Sequence, residues 1–250
     1  MAEENPTWGQ GRVADELALK LGIKVSPRTV GAYWPKQPDN GGRRPASAQR
    51  WISFVGNHAN SLLACDFLVV VTASFRRLYV FVLLEVGTRR ILHCNVTAHP
   101  TAAWTLQQFR EALPSEHRHK FLIHDRDTIF SKQVDEELKT FGRKVLKTPV
   151  RAPLANAHCE RLIGTMRREC LDFVIPLGEK HLRRLLRNWV CHYNKARPHS
   201  NLGPGIPDPA NRQISFTGAD RHTLPAQSRV IARPVLGGLH HEYRLEKVAA

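Results

Sequence analysis

The middle of the chain alternates short apolar runs with polar turns, a pattern typical of β-strands. Three runs rich in Val, Leu and Phe, at Leu62–Thr72, Leu78–Val86 and Arg90–Val96, are joined by short turns and predict a three-strand meander. The spacing beyond them predicts a helix at Thr101–Leu113, a strand at Lys120–Asp125, a helix at 131–142, a strand at Lys144–Thr148 and a long helix from near Asn156. This order predicts an α/β architecture, in which helices flank a mixed five-stranded sheet.

Residues 8–36 predict two short helices around a tight turn. Apolar residues recur at helical spacing in the first helix, and Ser26 followed by Pro27 predicts the start of the second. This is the layout of a helix-turn-helix, and a plain helical hairpin is the alternative. Without a third helix, the module is expected to be a partial one. Its second helix carries the candidates for DNA contact, Arg28 and Thr29, together with Tyr33.

Composition divides the chain into five predicted segments. A polar, basic stretch rich in Pro and Gly is expected to link the N-terminal helices to the sheet. The predicted boundaries are 1–36 for the partial helix-turn-helix, 37–57 for the basic linker, 58–175 for the α/β domain, 176–212 for its helical extension and 213–250 for a basic tail. The tail is expected to form a small β extension.

The charge balance narrows the class of partner. Lys and Arg number 37 against 22 acidic residues, which gives the 250-residue chain a formal net charge of +15. The basic residues recur in every segment, so nucleic acid is the expected partner, and a merely solubilising surface is the alternative. No apolar run has the length of a membrane span and no signal pattern opens the chain, so we expect a cytoplasmic protein without a membrane partner. The five cysteines include no Cys-x-x-Cys pair and are expected to be reduced.

One carboxylate stands where the pattern predicts a buried strand. Asp66 lies in the run SLLACDFLVVV, and a buried carboxylate without a partner is costly. Its partner could be an arginine, backbone N–H groups or a metal ion. Asp125 closes the fourth predicted strand and Glu160 lies in the first turns of the long helix, so the fold could bring three acids together.

Three carboxylates without soft ligands suit a hard divalent cation. Two neighbouring aspartates repel each other unless a cation lies between them. A pair of such cations is a common device for in-line attack at phosphate, because one activates the attacking water or hydroxyl and the other stabilises the leaving oxygen. The alternative is structural: Asp66 paired with an arginine, Asp125 capping the next turn and Glu160 in a surface pair.

Four stretches resemble the integrase core of insertion-sequence transposases and retroviral-type integrases, in the order expected of that family. Three of them surround the acids: LLACDFLVV, FLIHDRDTIF and RAPLANAHCERLIGTMRRECLD. The fourth, HYNKARPHSNLGPGIPDPA, is similar to the Tyr-Asn-x-x-Arg-Pro-His-x-x-Leu signature that follows the core in bacterial transposases. The resemblance runs from roughly Arg50 to Ala210.

The resemblance implies an RNase H-like fold and a D-D-E polynucleotidyl transferase, with two Mg²⁺ or Mn²⁺ ions, that cleaves DNA and transfers strand ends. Carried over residue by residue, Asp66, Asp125 and Glu160 are the implied catalytic and metal-binding triad. The implied partners are transposon ends and target duplex, bound by a homo-oligomer at the nucleoid. The residues of the glutamate helix implied to contact DNA are Arg167, Arg161 and Arg168.

Two positions depart from the family pattern. Arg126 and Asp127 follow the second aspartate where retroviral relatives have Asn-Gly, which leaves Asp127 as an alternative ligand; Asp125 is preferred because it directly follows the strand. Gly164 stands at one of the two positions after the glutamate where the family often has a basic residue. Arg167 occupies the other position. The signature residues are expected to brace the catalytic helix rather than contact DNA, and they are Tyr193, Asn194, Arg197 and His199.

Two hypotheses from different classes stay open. The first is an active transposase or integrase, which the intact acidic triad favours. The second is a catalytically inactive or truncated DNA-binding remnant of a transposase, which the short N-terminal module favours. A nuclease acting on RNA–DNA hybrids would share the fold, but the helix-turn-helix argues against it.

Overall fold

The computed structural model describes residues 5, 8–32, 46–113, 119–147, 156–203, 205–208, 224 and 227–247. Contacts separate two units, one made of residues 42–187 and one that joins residues 1–41 to residues 188–250. The first unit contains a five-stranded sheet. The second contains the two N-terminal helices together with a C-terminal hairpin.

The sheet of the first unit has the strand order β3-β2-β1-β4-β5. Its strands are β1 Leu62–Val71, β2 Arg77–Glu85, β3 Ile91–Thr97, β4 Phe121–His124 and β5 Lys144–Lys147. The first three are antiparallel neighbours, whereas β4 runs parallel to β1 and β5 runs parallel to β4. Parallel neighbours need crossover connections, which helices supply here. The predicted meander and the mixed five-stranded sheet are confirmed.

Helices flank this sheet as predicted. They are α3 Ala46–His58, α4 Ala102–Ala112, α5 Lys132–Thr140 and α6 Ala157–Glu169, followed by α7 Glu179–Lys195. The Thr101 hydroxyl caps α4 by accepting the N–H of Trp104. The core between the sheet and these helices includes Leu63, Phe81, Leu106, Phe109, Leu122 and Leu138. None of the helices in the described part of the chain combines the length and apolarity needed to cross a bilayer.

The predicted basic linker at 37–57 is helical in its second half. Helix α3 begins at Ala46, and residues 37–45 lie outside the described residues. Tertiary packing explains the helix, because the Phe54 ring meets the Phe121 ring of β4 edge-on, with ring centres 5.4 Å apart. The polar composition of this stretch predicts a linker, but packing of its few aromatic residues stabilises a helix.

The buried face of the long helix α6 is shorter than predicted. The helical spacing of the sequence predicts a buried stripe made of Leu162, Ile163, Met166, Cys170, Phe173 and Val174. Phe173 is instead 52% exposed, because α6 ends at Glu169 and a short 3₁₀ turn, Leu171–Phe173, follows. The stripe residues that are fully buried, as expected, are Leu162, Met166 and Cys170.

The second unit brings both ends of the chain together. Its elements are α1 Gln10–Leu21, α2 Pro27–Gly31, β6 Ser228–Val235 and β7 His240–Lys247, and the two strands form an antiparallel hairpin. Trp8 and Val13 pack against Tyr243 of β7, and the Asn5 side-chain amide donates to the Tyr243 hydroxyl at 3.3 Å. The predicted segments 1–36 and 213–250 therefore share one hydrophobic cluster, although the sequence indicated separate segments.

The turn between α1 and α2 has the features that the sequence predicts. α1 ends at Gly22, whose φ of 69° lies in the left-handed region. The Ser26 hydroxyl caps α2 by accepting the N–H of Thr29 at 3.0 Å. Arg28 and Thr29 are exposed on α2, whereas Tyr33 lies outside the described residues.

Phe75 occupies a strained position in the turn between β1 and β2. Its φ is 57° and the residue is 89% exposed. The turn holds this conformation because the Phe75 N–H donates to the Thr72 carbonyl at 2.9 Å. A left-handed conformation costs a bulky residue about 1 kcal/mol, and asparagine adopts it more readily. We therefore expect Phe75→Asn to raise the free energy of unfolding by about 1 kcal/mol in urea titrations.

Leu177→Asn is the matched control, because Leu177 is 73% exposed but does not have a positive φ. This change should alter the free energy of unfolding by less than about 0.5 kcal/mol. If both variants gain the same stability, the gain comes from removing exposed apolar surface and the strain at Phe75 is not its source.

Candidate active site

Two of the three candidate acids lie side by side where β4 ends next to the middle of β1. β1 and β4 are parallel neighbours, with Ala64 opposite Ile123 at the last pair of their ladder. Continuing this register by two residues along each strand places Asp66 level with Asp125. The predicted neighbourhood of the two aspartates therefore follows from strand pairing alone.

Glu160 is an exposed residue of α6, a helix whose start lies beside β1. Its N–H donates to the carbonyl of Asn156 at 3.0 Å in the first turn of the helix. The side-chain amide of Asn156 donates to the backbone carbonyl of Cys65 at 3.2 Å. This hydrogen bond thus holds the start of α6 against Cys65, the residue that precedes Asp66.

The acids act on one another electrostatically. The pKa of Asp66 is raised from its ordinary 3.8 to about 7, chiefly by burial and next by the negative charge of Asp125. Glu160 and Asp127 act in the same direction, whereas the Phe67 N–H, which donates to Asp66 Oδ1 at 2.7 Å, lowers the pKa. Asp125, Glu160 and Asp127 therefore all lie close enough to Asp66 to disfavour its negative charge.

The structural alternatives were an arginine partner for Asp66 and a capping role for Asp125, and the structure bears on them differently. The largest contributions to the pKa of Asp66 come from burial, from other acids and from the Phe67 N–H, and no arginine or lysine of the described residues is among them, so an arginine partner does not explain its burial. Asp125 does make a capping contact, because its Oδ1 accepts the N–H of Asp127 at 3.0 Å. Asp127 is exposed and itself accepts the N–H of Ile129 at 3.1 Å. The choice of Asp125 over Asp127 as a ligand remains a prediction.

The acids have the chemistry of a site for a hard divalent cation. All the donors are carboxylate oxygens, and a cation would offset both the burial of Asp66 and its repulsion by Asp125, which raise the pKa of Asp66. Within the part of the chain that the structure describes, no three His, Cys, Asp or Glu side chains are arranged as a metal-ligand set. The residues fit such a cation by type, and the ligand set remains a prediction.

A polar network beside the site was missed by the sequence reasoning. Asp135 of α5 contacts His124 Nε2 at 2.9 Å and Lys147 Nζ at 2.5 Å. His124 also stacks on the Phe130 ring, with ring centres 4.5 Å apart. The network ties β4, α5 and β5 together next to Asp125. The sequence did contain one signal of this network, because His124 lies inside an apolar strand and directly before the candidate ligand Asp125.

The arginines of α6 nominated for DNA contact are all exposed, namely Arg161, Arg167 and Arg168. Arg167 lies along β1, where its guanidinium approaches the Val69 carbonyl at 3.5 Å. The guanidinium of Arg168 lies over Gly164, since a Cβ added at this glycine would meet it at 3.1 Å. The position where the family often has a basic residue is thus covered by a basic side chain from the next turn.

The signature residues after the core contact one another. The rings of Tyr193 and His199 meet edge-on with centres 4.6 Å apart, and the Arg197 guanidinium lies 5.6 Å from the centre of the Tyr193 ring. The Asn194 carbonyl accepts the N–H of Asp208 at 2.9 Å. These contacts lie within the motif and its own unit, and its bracing of the catalytic helix remains a prediction.

Comparison with known families points to the same class. Residues 143–207 match the family model of the integrase core domain. This segment contains Glu160 and the Tyr193–His199 signature but neither Asp66 nor Asp125. No match was found among curated proteins.

Several solved structures are similar to this chain. One is a chain of the simian T-cell lymphotropic virus intasome in complex with PP2A regulatory subunit B56 gamma, with 8% identity, a TM-score of 0.51, and coverage of 74% of this chain and 66% of that chain. Another is the HTLV-2 integrase catalytic core domain in complex with magnesium, with 13% identity, a TM-score of 0.46, and coverage of 58% and 91%. A third is the catalytic domain of Mos1 mariner transposase, with 13% identity, a TM-score of 0.46, and coverage of 63% and 85%.

The sheet order and the similarity to the intasome chain confirm the RNase H-like fold. The resemblance to the integrase core domain is confirmed over residues 143–207. The chain spans 66% of the length of that intasome chain. An origin in a bacterial insertion sequence remains a prediction.

Proposed function

We propose that this protein is a transposase or integrase that cleaves DNA strands and transfers the resulting ends, in DNA integration, recombination and transposition. The observation that carries the proposal is that Asp125 and Glu160 lie close enough to Asp66 to raise its pKa, within an RNase H-like fold. The match of residues 143–207 to the integrase core domain supports it.

Divalent metal is part of the proposal. Asp66, Asp125 and Glu160 would hold two Mg²⁺ or Mn²⁺ ions, which supply an activated attacking oxygen and a stabilised leaving oxygen when bound. The chain's own contribution is placement. Pairing of β1 with β4 sets the spacing of the two aspartates, and the fastening of α6 to β1 brings Glu160 to them.

The proposed partners are transposon ends and a target duplex. A net charge of +15 attracts the DNA backbone, and Arg161, Arg167 and Arg168 are the proposed phosphate contacts beside the site. Arg28 and Thr29 are the proposed contacts in the second unit. Because two DNA ends must be held together for transfer, we propose a homo-oligomer on DNA, acting at the nucleoid.

The proposed activity is tested by nicking of supercoiled plasmid DNA in the presence of Mn²⁺ or Mg²⁺. The wild-type protein should convert the plasmid to nicked circles, and a chelator should stop the reaction. DNA binding without any metal-dependent nicking would instead support the second candidate, an inactive DNA-binding remnant.

Arg167→Ala is expected to weaken DNA binding. The lost charge would remove about one phosphate contact, so the slope of log K against log salt concentration should become shallower by about 1. The change should weaken binding evenly across DNA sequences, because a phosphate contact carries no sequence information. Filter binding at several salt concentrations measures both quantities.

Arg110→Ala is the matched control for Arg167. Arg110 is also exposed, but its guanidinium pairs with Glu137 at 2.8 Å on the α4 and α5 side of the sheet. This variant should keep the wild-type salt slope. An unchanged slope in Arg167→Ala would remove Arg167 from the DNA contacts.

A further inference from the structure

Asn156 contacts both elements that carry the candidate acids. Its backbone carbonyl accepts the N–H of Glu160 at 3.0 Å, and its side-chain Nδ2 donates to the Cys65 carbonyl at 3.2 Å. Cys65 directly precedes Asp66 on β1. The two partners of the side-chain bond are 91 residues apart in the sequence, so this contact belongs to the tertiary fold.

The side chain of Asn156 does not do what an asparagine at a helix start ordinarily does. An N-cap asparagine usually accepts a hydrogen bond from an N–H of the first turn. Here the residue precedes α6 at Ala157, yet its side chain makes no capping bond. The amide is directed to β1 instead, which fixes where α6 starts relative to that strand.

A contribution to folding stability does not explain why an asparagine occupies position 156. Asn156 is 4% exposed, and its Oδ1 has no hydrogen-bond partner within the described part of the chain. A buried acceptor without a partner is unfavourable for folding. The surroundings are packed, because Cys65 on β1 and Cys159 on α6 are both fully buried. An apolar side chain of similar volume would fill this site without the orphaned oxygen.

We propose that Asn156 is a positioning residue, which holds the helix of Glu160 at a fixed distance from the strand of Asp66. It acts through the carboxylates and contacts neither DNA nor metal itself. This inference rests on the proposed function, because it assumes that the two carboxylates act on one cation site. Loss of the contact would let α6 shift along β1 and would separate the acids.

The test compares Asn156→Leu and Asn156→Ser with the wild-type chain. Leucine keeps the volume and removes the donor, and serine removes most of the side chain with less risk to folding. Binding of Mn²⁺ is measured by electron paramagnetic resonance of the free ion, with no DNA present. Positioning residues around metal ligands typically change metal affinity by about 10–100-fold, so a loss of that size is expected in both variants.

Thr165→Val is the matched control. Thr165 is also buried on α6, and its hydroxyl donates to the Arg161 carbonyl at 2.8 Å within the same helix. This variant removes a buried polar contact without touching β1, so its Mn²⁺ affinity should equal that of the wild type. At saturating Mn²⁺, plasmid nicking by the Asn156 variants should recover toward the wild-type rate.

Each outcome decides the question. Folded Asn156 variants that bind Mn²⁺ as tightly as the wild type would overturn the positioning role. So would loss of folding in both Asn156 variants, seen by circular dichroism, while Thr165→Val stays folded, because the residue would then be structural. A wild-type chain that neither binds Mn²⁺ nor nicks DNA would refute the proposed function itself, and this inference with it.

Discussion

Asp66→Asn and Glu160→Gln should each lower Mn²⁺-dependent plasmid nicking by about 10³-fold or more. Each amide keeps the size of the acid and removes the negative charge that a divalent cation requires. If the acids hold the ions together, either change alone should remove most of the activity, and the double variant should lose little more. Nicking rates at a fixed Mn²⁺ concentration measure the effect.

DNA binding is the internal control for these variants. Replacing a carboxylate by an amide removes a charge that repels phosphate, so binding should be unchanged or slightly tighter. A variant that loses both nicking and binding would have a folding defect, and it would say nothing about catalysis. A variant that nicks at the wild-type rate would exclude that acid from the site.

The same assay separates Asp125 from Asp127. Asp125 follows β4 directly and is half-buried, whereas Asp127 is exposed and accepts an N–H bond from the turn after it. Asp125→Asn should therefore match the loss in Asp66→Asn, and Asp127→Asn should stay within about tenfold of the wild type. The reverse order would make Asp127 the ligand and would end the metal-binding assignment of Asp125.

The sheet was predictable because its strands are continuous apolar runs. Each of the three meander strands in the structure begins within one residue of its predicted start. The register between β1 and β4 was not predictable, because parallel pairing depends on contacts between distant segments. The sequence therefore predicted that Asp66 and Asp125 could come together without giving their register, and the pairing of β1 with β4, continued by two residues, places them level with each other.

Side-chain contacts between residues far apart in the sequence could not be predicted from the sequence pattern. The bond from Asn156 to Cys65 depends on where α6 lands on β1, and nothing in the local sequence specifies it. The contact of Asn5 with Tyr243 joins residues 238 positions apart. Local patterns predicted the N-terminal helices and a small β extension at the C-terminus but could not show that they pack together.

Glu16 in α1 is expected to make the stability of the protein depend on pH. It is 2% exposed, and its Oε2 has no hydrogen-bond partner among the described residues. Its pKa is raised from an ordinary 4.5 to about 7, chiefly by burial. The positive charges of Lys20 and Arg12 on the same helix, and of Arg197, lower this pKa, whereas the charge of Glu242 on β7 raises it.

The sign of the effect follows from proton binding. Below pH 4.5 the Glu16 carboxyl is protonated in the folded and unfolded chains alike, so it does not make stability depend on pH. Between pH 4.5 and about 7 the unfolded chain loses this proton while the folded chain keeps it, so stability falls as pH rises. Above about pH 7 both states are ionised, and the folded chain carries the full cost of about 3 kcal/mol.

Glu16→Gln should therefore stabilise the protein at pH 8 and not at pH 4.5. Glutamine keeps the shape of the neutral acid and cannot ionise, so the expected gain at pH 8 is about 3 kcal/mol in the free energy of unfolding. Urea titrations of both proteins at the two pH values measure it, and a pH titration of the Glu16 carboxyl by NMR gives its pKa directly. An equal difference between the two proteins at pH 4.5 and pH 8 would mean that packing, and not ionisation, sets the effect of the substitution.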